Sequence, residues 1–488
     1  MPDDDKSISA VCLSIIWGDN KMKSMTEGKP LGLILRFAFP ILLGNLLQQL
    51  YNVADASIVG RFLGAEALAA VGATSSVQFL ILGFCTGACA GFCVPVAQKF
   101  GAQDFSSMRR LIFNSAFLTA IIAGVVTVSC ALLTPQILWL LNTPENIWDN
   151  TYIYILIIFL GIPFTLLYNL AAGILRAIGD SRTPFIILAF STAANVVLDL
   201  FCISVLHWGC AGAAIATVAS QAASGILCLF LMIKKYEVLH LDRDERVVNK
   251  SLCGTLLSMG LPMGLQFSIT AIGSMVMQSA NNGLGSMYAT AFTAAARIKM
   301  FAMCPFDAIA TAVATFCGQN YGAGRADRVE SGFHVGTVTA VIYGAVSGAA
   351  LVLFGRTACL IFLSASEVEI LDAAALYLRT LGYFYWVLGL LNVSRITVQG
   401  LGYSGRAVFS GVMEMIARSV VALFFVPHLG FTGISAADPA AWIAATLYIL
   451  PMCLLTIRKV KQELSSRERA AALQVKARKV TKRRAAVL

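Results

Sequence analysis

Residues 33–58 read LILRFAFPILLGNLLQQLYNVADASI. A helix over this stretch is long enough to cross a bilayer, which takes about 20 residues. Yet Asn45, Gln48, Asn52 and Asp55 interrupt it at spacings of three, four and three. Those spacings put all four on one helical face, bordered by Gln49 and Tyr51. An apolar segment with a polar stripe and a carboxylate predicts a membrane span that turns one face to water or protein rather than lipid.

The rest of the chain has the same character. Of 488 residues, 58% are hydrophobic and only 13% charged, and the mean hydropathy is +0.77. A soluble domain carries about a quarter charged residues, so a soluble globular protein is excluded. Apolar runs recur near 33–58, 66–96, 111–133, 150–173, 184–205, 211–233, 252–279, 286–316, 333–354, 373–398, 407–427 and 437–457. These runs are too long for barrel strands, which alternate over about ten residues. The sequence therefore predicts an all-α integral membrane protein of twelve transmembrane helices. Forty glycines without a Gly-X-Y period suit closely packed spans. Cys85, Cys89 and Cys93 share a helical stripe, but no His accompanies them, so they read as small packing residues.

Loop charge orients the spans. With the N-terminus inside, one side collects Lys99, Arg109, Arg110, Arg176, Arg182, Lys234, Lys235, Arg243, Arg246, Lys250, Arg325, Arg328 and Arg406. The other offers Arg61, Arg356 and Arg379, and the loop stretch 135–151 has no basic residue at all. The positive-inside rule then places both termini in the cytoplasm and the chain in the inner (plasma) membrane. Residues 1–27 form a cytoplasmic leader, since Asp3, Asp4 and Asp5 precede a serine-interrupted stretch unlike a cleaved signal; Met1 and Met25 are both possible starts. Residues 458–488 carry eleven basic residues against Glu463 and Glu468. They read as a solvated, partly helical arm near anionic lipid. That arm holds most of the formal charge of +10, so the charge does not imply a nucleic-acid partner.

The chain also repeats itself. AQKFGAQ at 97–103 and GQNYGAG at 318–324 stand 221 residues apart, as do Leu63-Gly64 and Leu284-Gly285. Pro40 matches Pro262 at 222, and Gly179 matches Gly402 at 223. Two six-helix lobes, 28–233 and 252–457, follow, joined by the hydrophilic connector 234–251. Six is even, so both lobes enter the membrane in one direction, and their pseudo-two-fold axis runs along the membrane normal.

Few acids lie inside spans, and each is informative because an unpaired carboxylate in hydrocarbon is costly. Asp199, with Asn195 one turn before it, falls at the same membrane depth as Asp55, and Thr217 opens the next span there. Two carboxylates with hydroxyl and amide neighbours can hold a proton or coordinate a hard cation such as sodium. No other metal and no cofactor is expected. Asn169 and Tyr168 add polarity to the same cavity or hydrogen-bond between helices. In the second half Met277 and Ala422 replace Asp55 and Asp199, while Arg297, Lys299, Asp307, Arg379, Arg395, Glu414 and Arg418 supply charge. Glu414 and Arg418 suit an intrahelical ion pair, and Arg395 is expected to snorkel to the inner surface. Acids suited to ion coupling therefore concentrate in the first half. Pro40, Pro95, Pro163, Pro262 and Pro305 are candidate gating bends or static packing kinks.

Together, FAFPILLGNLLQQLYNVADASIVGRFLG at 37–64, AQKFGAQ, GQNYGAG, and ILRAIGDSRTP followed by NVVLD at 195–199 resemble the multidrug and toxic compound extrusion (MATE) family. The resemblance spans roughly residues 28–457 and points to its DinF-like prokaryotic branch. It implies a secondary transporter, not an enzyme, that exports organic, often cationic amphipathic, small molecules in exchange for protons or sodium. It also implies a coupling-ion site at Asp55, Asn195, Asp199 and Thr217, with a bending proline at Pro40. A monomer in the lipid bilayer is expected. Another branch of the family uses acids in the C-lobe, for which this chain offers only Glu414. Two rivals remain: a flippase for lipid-linked saccharide, using Arg297, Lys299, Arg395 and Arg418, and a membrane-embedded transferase, for which only LDRDER at 241–246 supplies clustered acids.

Overall fold

The structure, a computed structural model, describes residues 24–141 and 143–485, with side chains through residue 466. Most of the leader, residues 1–23, lies outside the described residues. Helices α1 (Pro30–Leu63), α2 (Ala65–Gly101), α3 (Phe105–Leu140), α4 (Glu145–Leu160), α5 (Ile162–Ala177), α6 (Arg182–Leu200) and α7 (Gly209–Lys235) build the first half. The second half follows with α8 (Lys250–Asn282), α9 (Ser286–Gly322), α10 (Ala326–Cys359), α11 (Val368–Gly400), α12 (Ser404–Val420), the short α13 (Val426–Leu429) and α14 (Phe431–Ala485). Among the described residues there is no strand. Eleven helices are long and apolar enough to cross a membrane, and α4 with α5, bent by 44°, completes twelve.

That bend departs from the single span expected at 150–173. Pro163 opens α5 and has no N–H to extend the ladder from α4. At the break, Gly161 lies so close to α7 that a side chain there would collide with Val218. Of the five candidate proline bends, this one coincides with a break between helices; α1 runs through Pro40 and α8 through Pro262 without interruption.

The repeat is written into the backbone. Gly64 and Gly285 have φ of 86° and 109°, and Gly179 and Gly402 have 92° and 91°. These are left-handed conformations that glycine adopts without steric cost. Past their last turns, α6 and α12 each widen into one π-helical stretch, at Phe201–Val205 and Val421–Phe425.

Each half has its own core, and the halves exchange helix ends. Ile34, Phe37 and Ala38, from the start of α1, pack into the core of the second half. Leu256, from the start of α8 and 222 residues after Ile34, packs into the core of the first. Beside these exchanges α2 crosses α8, where a methyl on Gly87 would meet Met263 O at 2.7 Å and one on Gly91 would press on Gly260. Lipid tails are as apolar as leucine, so close backbone approach rather than escape from water holds such crossings. The outer surface fits that medium, with Leu132, Leu353, Phe354, Phe424 and Leu447 all exposed.

At the end rich in arginine and lysine, the connector is clasped to α3. Arg109 donates two hydrogen bonds to Glu245, at 2.5 and 2.7 Å, and holds its carboxyl down to about 2. Within this otherwise mostly exposed hydrophilic connector Glu245 is buried; the guanidinium supplies the fork that satisfies its carboxylate there. Cys89 and Cys93 point their thiols at Leu166 O and Leu170 O of α5, the packing role expected.

Candidate functional site

In the first half, four helices converge on a polar centre. Asp55 of α1 is 8% exposed, Asp199 at the end of α6 is 0% and Asn195 is 2%. The carboxyls of Asp55 and Asp199 are near enough for each to feel the other's charge. Asp55 Oδ1, both carboxyl oxygens of Asp199 and both amide atoms of Asn195 are buried without a hydrogen-bond partner among the described residues. Tyr51 and Thr217 share a hydrogen bond of 2.9 Å between their hydroxyls, joining α1 to α7 beside the acids. The sequence reading missed buried Tyr154 on α4, which lies beside the same acids, and Gln78 on α2, which adjoins Tyr154 and donates to Thr74 Oγ1 at 2.7 Å. Neither stands out locally, since a tyrosine near the start of a span is an ordinary interfacial residue and a lone glutamine within one reads as a packing hydrogen bond.

Not every polar residue of the opening stretch joins this centre. Gln48 and Asn52 are exposed and Asn45 half-buried, so only Asp55 of the predicted stripe turns fully inward. Asn169 donates to Thr165 O of its own helix at 2.9 Å. Its amide is thereby satisfied within α5. Pro40 is buried, four turns of helix before Asp55.

Five buried oxygens and nitrogens thus lack hydrogen-bond partners among the described residues. Buried polar groups are otherwise almost always hydrogen-bonded, and two adjacent carboxylates repel unless a proton or cation lies between them. Asp55, Asp199, Asn195, Tyr51, Tyr154 and Thr217 all bring side-chain oxygens to this centre. That donor set fits a proton or a small hard cation.

The second half holds charge of a different kind. Asp438 of α14 accepts from Lys299 Nζ at 2.7 Å, Tyr377 Oη at 2.8 Å and Arg418 Nε at 2.9 Å. Glu414 pairs with Arg395, whose Nε also donates to Ser410 Oγ at 2.8 Å. The Glu414–Arg418 pair expected from their spacing is present at 3.4 Å, but each has a nearer partner. Arg395 therefore does not snorkel. It is 7% exposed, because Glu414 on the neighbouring helix supplies its counter-charge. Asp438 escaped the sequence reading; it opens an apolar run, where an acid passes for an end-of-helix residue.

These features place the chain among known proteins. A model of the MatE family matches residues 40–201 and, a second time, 262–424. The "Probable multidrug resistance protein YpnP" of Bacillus subtilis is 30% identical over 418 residues, covering 85% of this chain and 92% of that protein. The "Probable multidrug resistance protein YoeA" of the same organism is 28% identical, over 85% and 91%. A solved structure described as the outward-facing conformation of a multidrug resistance MATE family transporter superposes with a TM-score of 0.84 at 22% identity, covering 91% of this chain and all of that one. The double family match falls on the two halves that the offsets of 221 to 223 had related. The chain belongs to the MatE family and is a multi-pass membrane transporter, not an enzyme.

Proposed function

We propose that this transporter is a multidrug efflux antiporter that expels organic, mostly cationic amphipathic compounds across the cell membrane by alternating access, driven by a proton or sodium gradient. Its basic end, with both termini, faces the cytoplasm, and residues 28–233 and 252–457 are its moving lobes. One observation carries this reading: Asp55 and Asp199 are buried side by side with unpartnered oxygens, whereas the buried acids of the second half, Glu414 and Asp438, are both ion-paired.

A proton or sodium ion entering from the outer side relieves the repulsion between Asp55 and Asp199, and draws α1, α6 and α7 together around it. Pro40 stands where α1 changes company. Before it, Ile34, Phe37 and Ala38 are anchored in the second half; beyond it, Asp55 belongs to the first. A bend there moves the outer half of α1 without tearing the anchored start, and so changes the space open to a substrate. Gln48 and Asn52, exposed on the same helix, line that space. A single chain holds the whole site, so a monomer suffices.

The flippase reading loses support at three of its four cations, because Lys299, Arg395 and Arg418 are each ion-paired to Asp438 or Glu414. The deciding experiment is substrate efflux from proteoliposomes under separately imposed pH and sodium gradients. One gradient is expected to drive transport in the wild type and to lose its effect in Asp55→Asn and in Asp199→Asn. Wild-type transport by both variants under that gradient overturns the proposal.

A further inference from the structure

At the basic end the two halves hold each other by a reciprocal clasp. Gln98 Nε2 at the end of α2 donates to Gly400 O at the end of α11, at 3.1 Å. Its repeat partner, Gln319 Nε2 at the end of α9, donates to Ala177 O at the end of α5, at 2.8 Å. Both acceptors are last-turn carbonyls, which have no partner inside their own helix. The glycines of the two motifs complete the clasp: a methyl on Gly101 would run into Gln319 O, and one on Gly322 into Gln98 O. AQKFGAQ and GQNYGAG thus meet each other across the pseudo-two-fold axis.

The symmetry is broken at one point. Among the described residues, those before α1 hydrogen-bond to the second-half member of the clasp and not to the first-half one. Met25 N donates to Gln319 Oε1 at 2.9 Å, and Asn320 Nδ2 donates to Met25 O at 3.1 Å. Arg328 of α10 donates to Met25 O at 3.1 Å, to Gly28 O at 2.9 Å and to Asn320 Oδ1 at 2.8 Å. The Met25 side chain is 3% exposed, within the second half's core. At an offset of 221, the first-half counterpart of Arg328 is Ser107, whose backbone N–H donates to the capping Asp104 carboxyl and whose short side chain offers no comparable fork of donors.

We infer that residues 24–28 are a strap which, held by Arg328, Asn320 and Gln319, keeps the clasp between the halves shut at the basic end. The strap leads directly into α1, the helix that carries Asp55, so it fastens the ion-binding half to α9 and α10 of the other. Separating the halves at this end requires the two glutamine bonds to break and the strap to let go. Arg328 then sets how readily the basic end opens while touching neither the acids nor the first half's motif. The inference rests on the alternating-access reading for its meaning, but the closure it describes is measured independently of transport.

The test is hydrogen–deuterium exchange on the full-length protein in lipid nanodiscs, comparing Arg328→Ala with the wild type. Loss of the strap is expected to speed exchange about fivefold or more at 97–103, which Arg328 does not contact, as well as at 318–324. Gly322→Ala, which wedges the clasp directly, is expected to produce the larger effect at 97–103. Exchange across α3 reports that the bundle stays folded, and Arg328→Gln replaces Arg328→Ala if that variant does not. Faster exchange confined to 24–30 and 318–330, with 97–103 unchanged, overturns the inference, as does an unchanged 97–103 in Gly322→Ala. An unaltered 97–103 alongside intact ion-driven efflux defeats the strap alone; loss of the Asp55 and Asp199 dependence with accelerated 97–103 defeats only the coupling reading.

Discussion

The two halves share a fold, even to the φ angles of their turn glycines, but they treat buried acid in opposite ways. In the first, Asp55 and Asp199 face each other with oxygens that nothing satisfies. In the second, Asp438 has three donors and Glu414 has two arginines. A buried carboxylate is costly unless paired; Asp438 and Glu414 in the second half are ion-paired, and Asp55 and Asp199 in the first have no cationic partner among the described residues. At the repeat positions of Asp55 and Asp199 the second half has Met277 and Ala422, so the pair of open carboxyls occurs in one half.

The sharpest way to break this contrast is Asp438→Asn. It leaves Lys299 and Arg418 buried without their shared counter-charge, and breaking a buried pair in this way costs about 3–5 kcal/mol. We expect a steep fall in the thermal unfolding midpoint of the purified protein, before any effect on coupling is measurable. A variant that keeps wild-type stability but loses ion-driven efflux would move Asp438 into the functional class and erase the distinction. Next in size are Asp55→Asn and Asp199→Asn. Each removes one of two repelling carboxylates, so stability should hold or rise by about 1 kcal/mol, while ion-driven efflux falls at least about thirtyfold, on the order of 2 kcal/mol. Destabilisation by either would show that the pair is structural, as in the other half.

How much of this the sequence carries depends on the range of the cause. Span positions are local: apolar length decides them, and the breaks in that length single out Asp55 and Asp199 directly. The repeat is legible because its glycines occupy turns that need positive φ, so they persist where other residues drift. Asp438 is not legible, because its role lies in Lys299, Tyr377 and Arg418, which reach it from three other helices. Arg395 was misread for the same reason, since its partner Glu414 is on the next helix. The break before Pro163 was legible as a candidate bend, but the close approach of Gly161 to Val218 and the hydrogen bond of Met25 to Arg328 are contacts between distant segments.

A wet ion pair calibrates the dry ones. Glu245 and Arg109 lie outside the membrane region proper, with the Glu245 carboxyl held to about 2 against an ordinary 4.5. A depressed carboxyl contributes stability that is complete above its unfolded value, near 4.5, and is lost as pH falls through about 2. Glu245→Gln should therefore cost about 1–2 kcal/mol at pH 7, with the gap to wild type closing between pH 4.5 and 2. Denaturant unfolding of the two proteins across that range checks it. A cost equal to that of Asp438→Asn would mean that burial in the second half adds nothing to the price of a broken pair.

The smallest effect tests whether the hydroxyls belong with the acids. Tyr51 and Thr217 are hydrogen-bonded beside Asp55 and Asp199, and at the same offsets the second half has Gly273 and Ala440, which carry no hydroxyl. The hydroxyl pair is thus confined to the half with the open acids. Thr217→Val keeps the shape, removes one oxygen and leaves the Tyr51 hydroxyl without its partner, at about 0.5–1 kcal/mol. Stability should barely move. The ion concentration for half-maximal efflux should rise about two- to fivefold, and Thr217→Ser, which keeps the oxygen, should restore it. If Val, Ser and Thr at this position give the same ion dependence, the hydroxyls are packing residues, and the difference between the halves reduces to two carboxylates that lack the cations Asp438 and Glu414 possess.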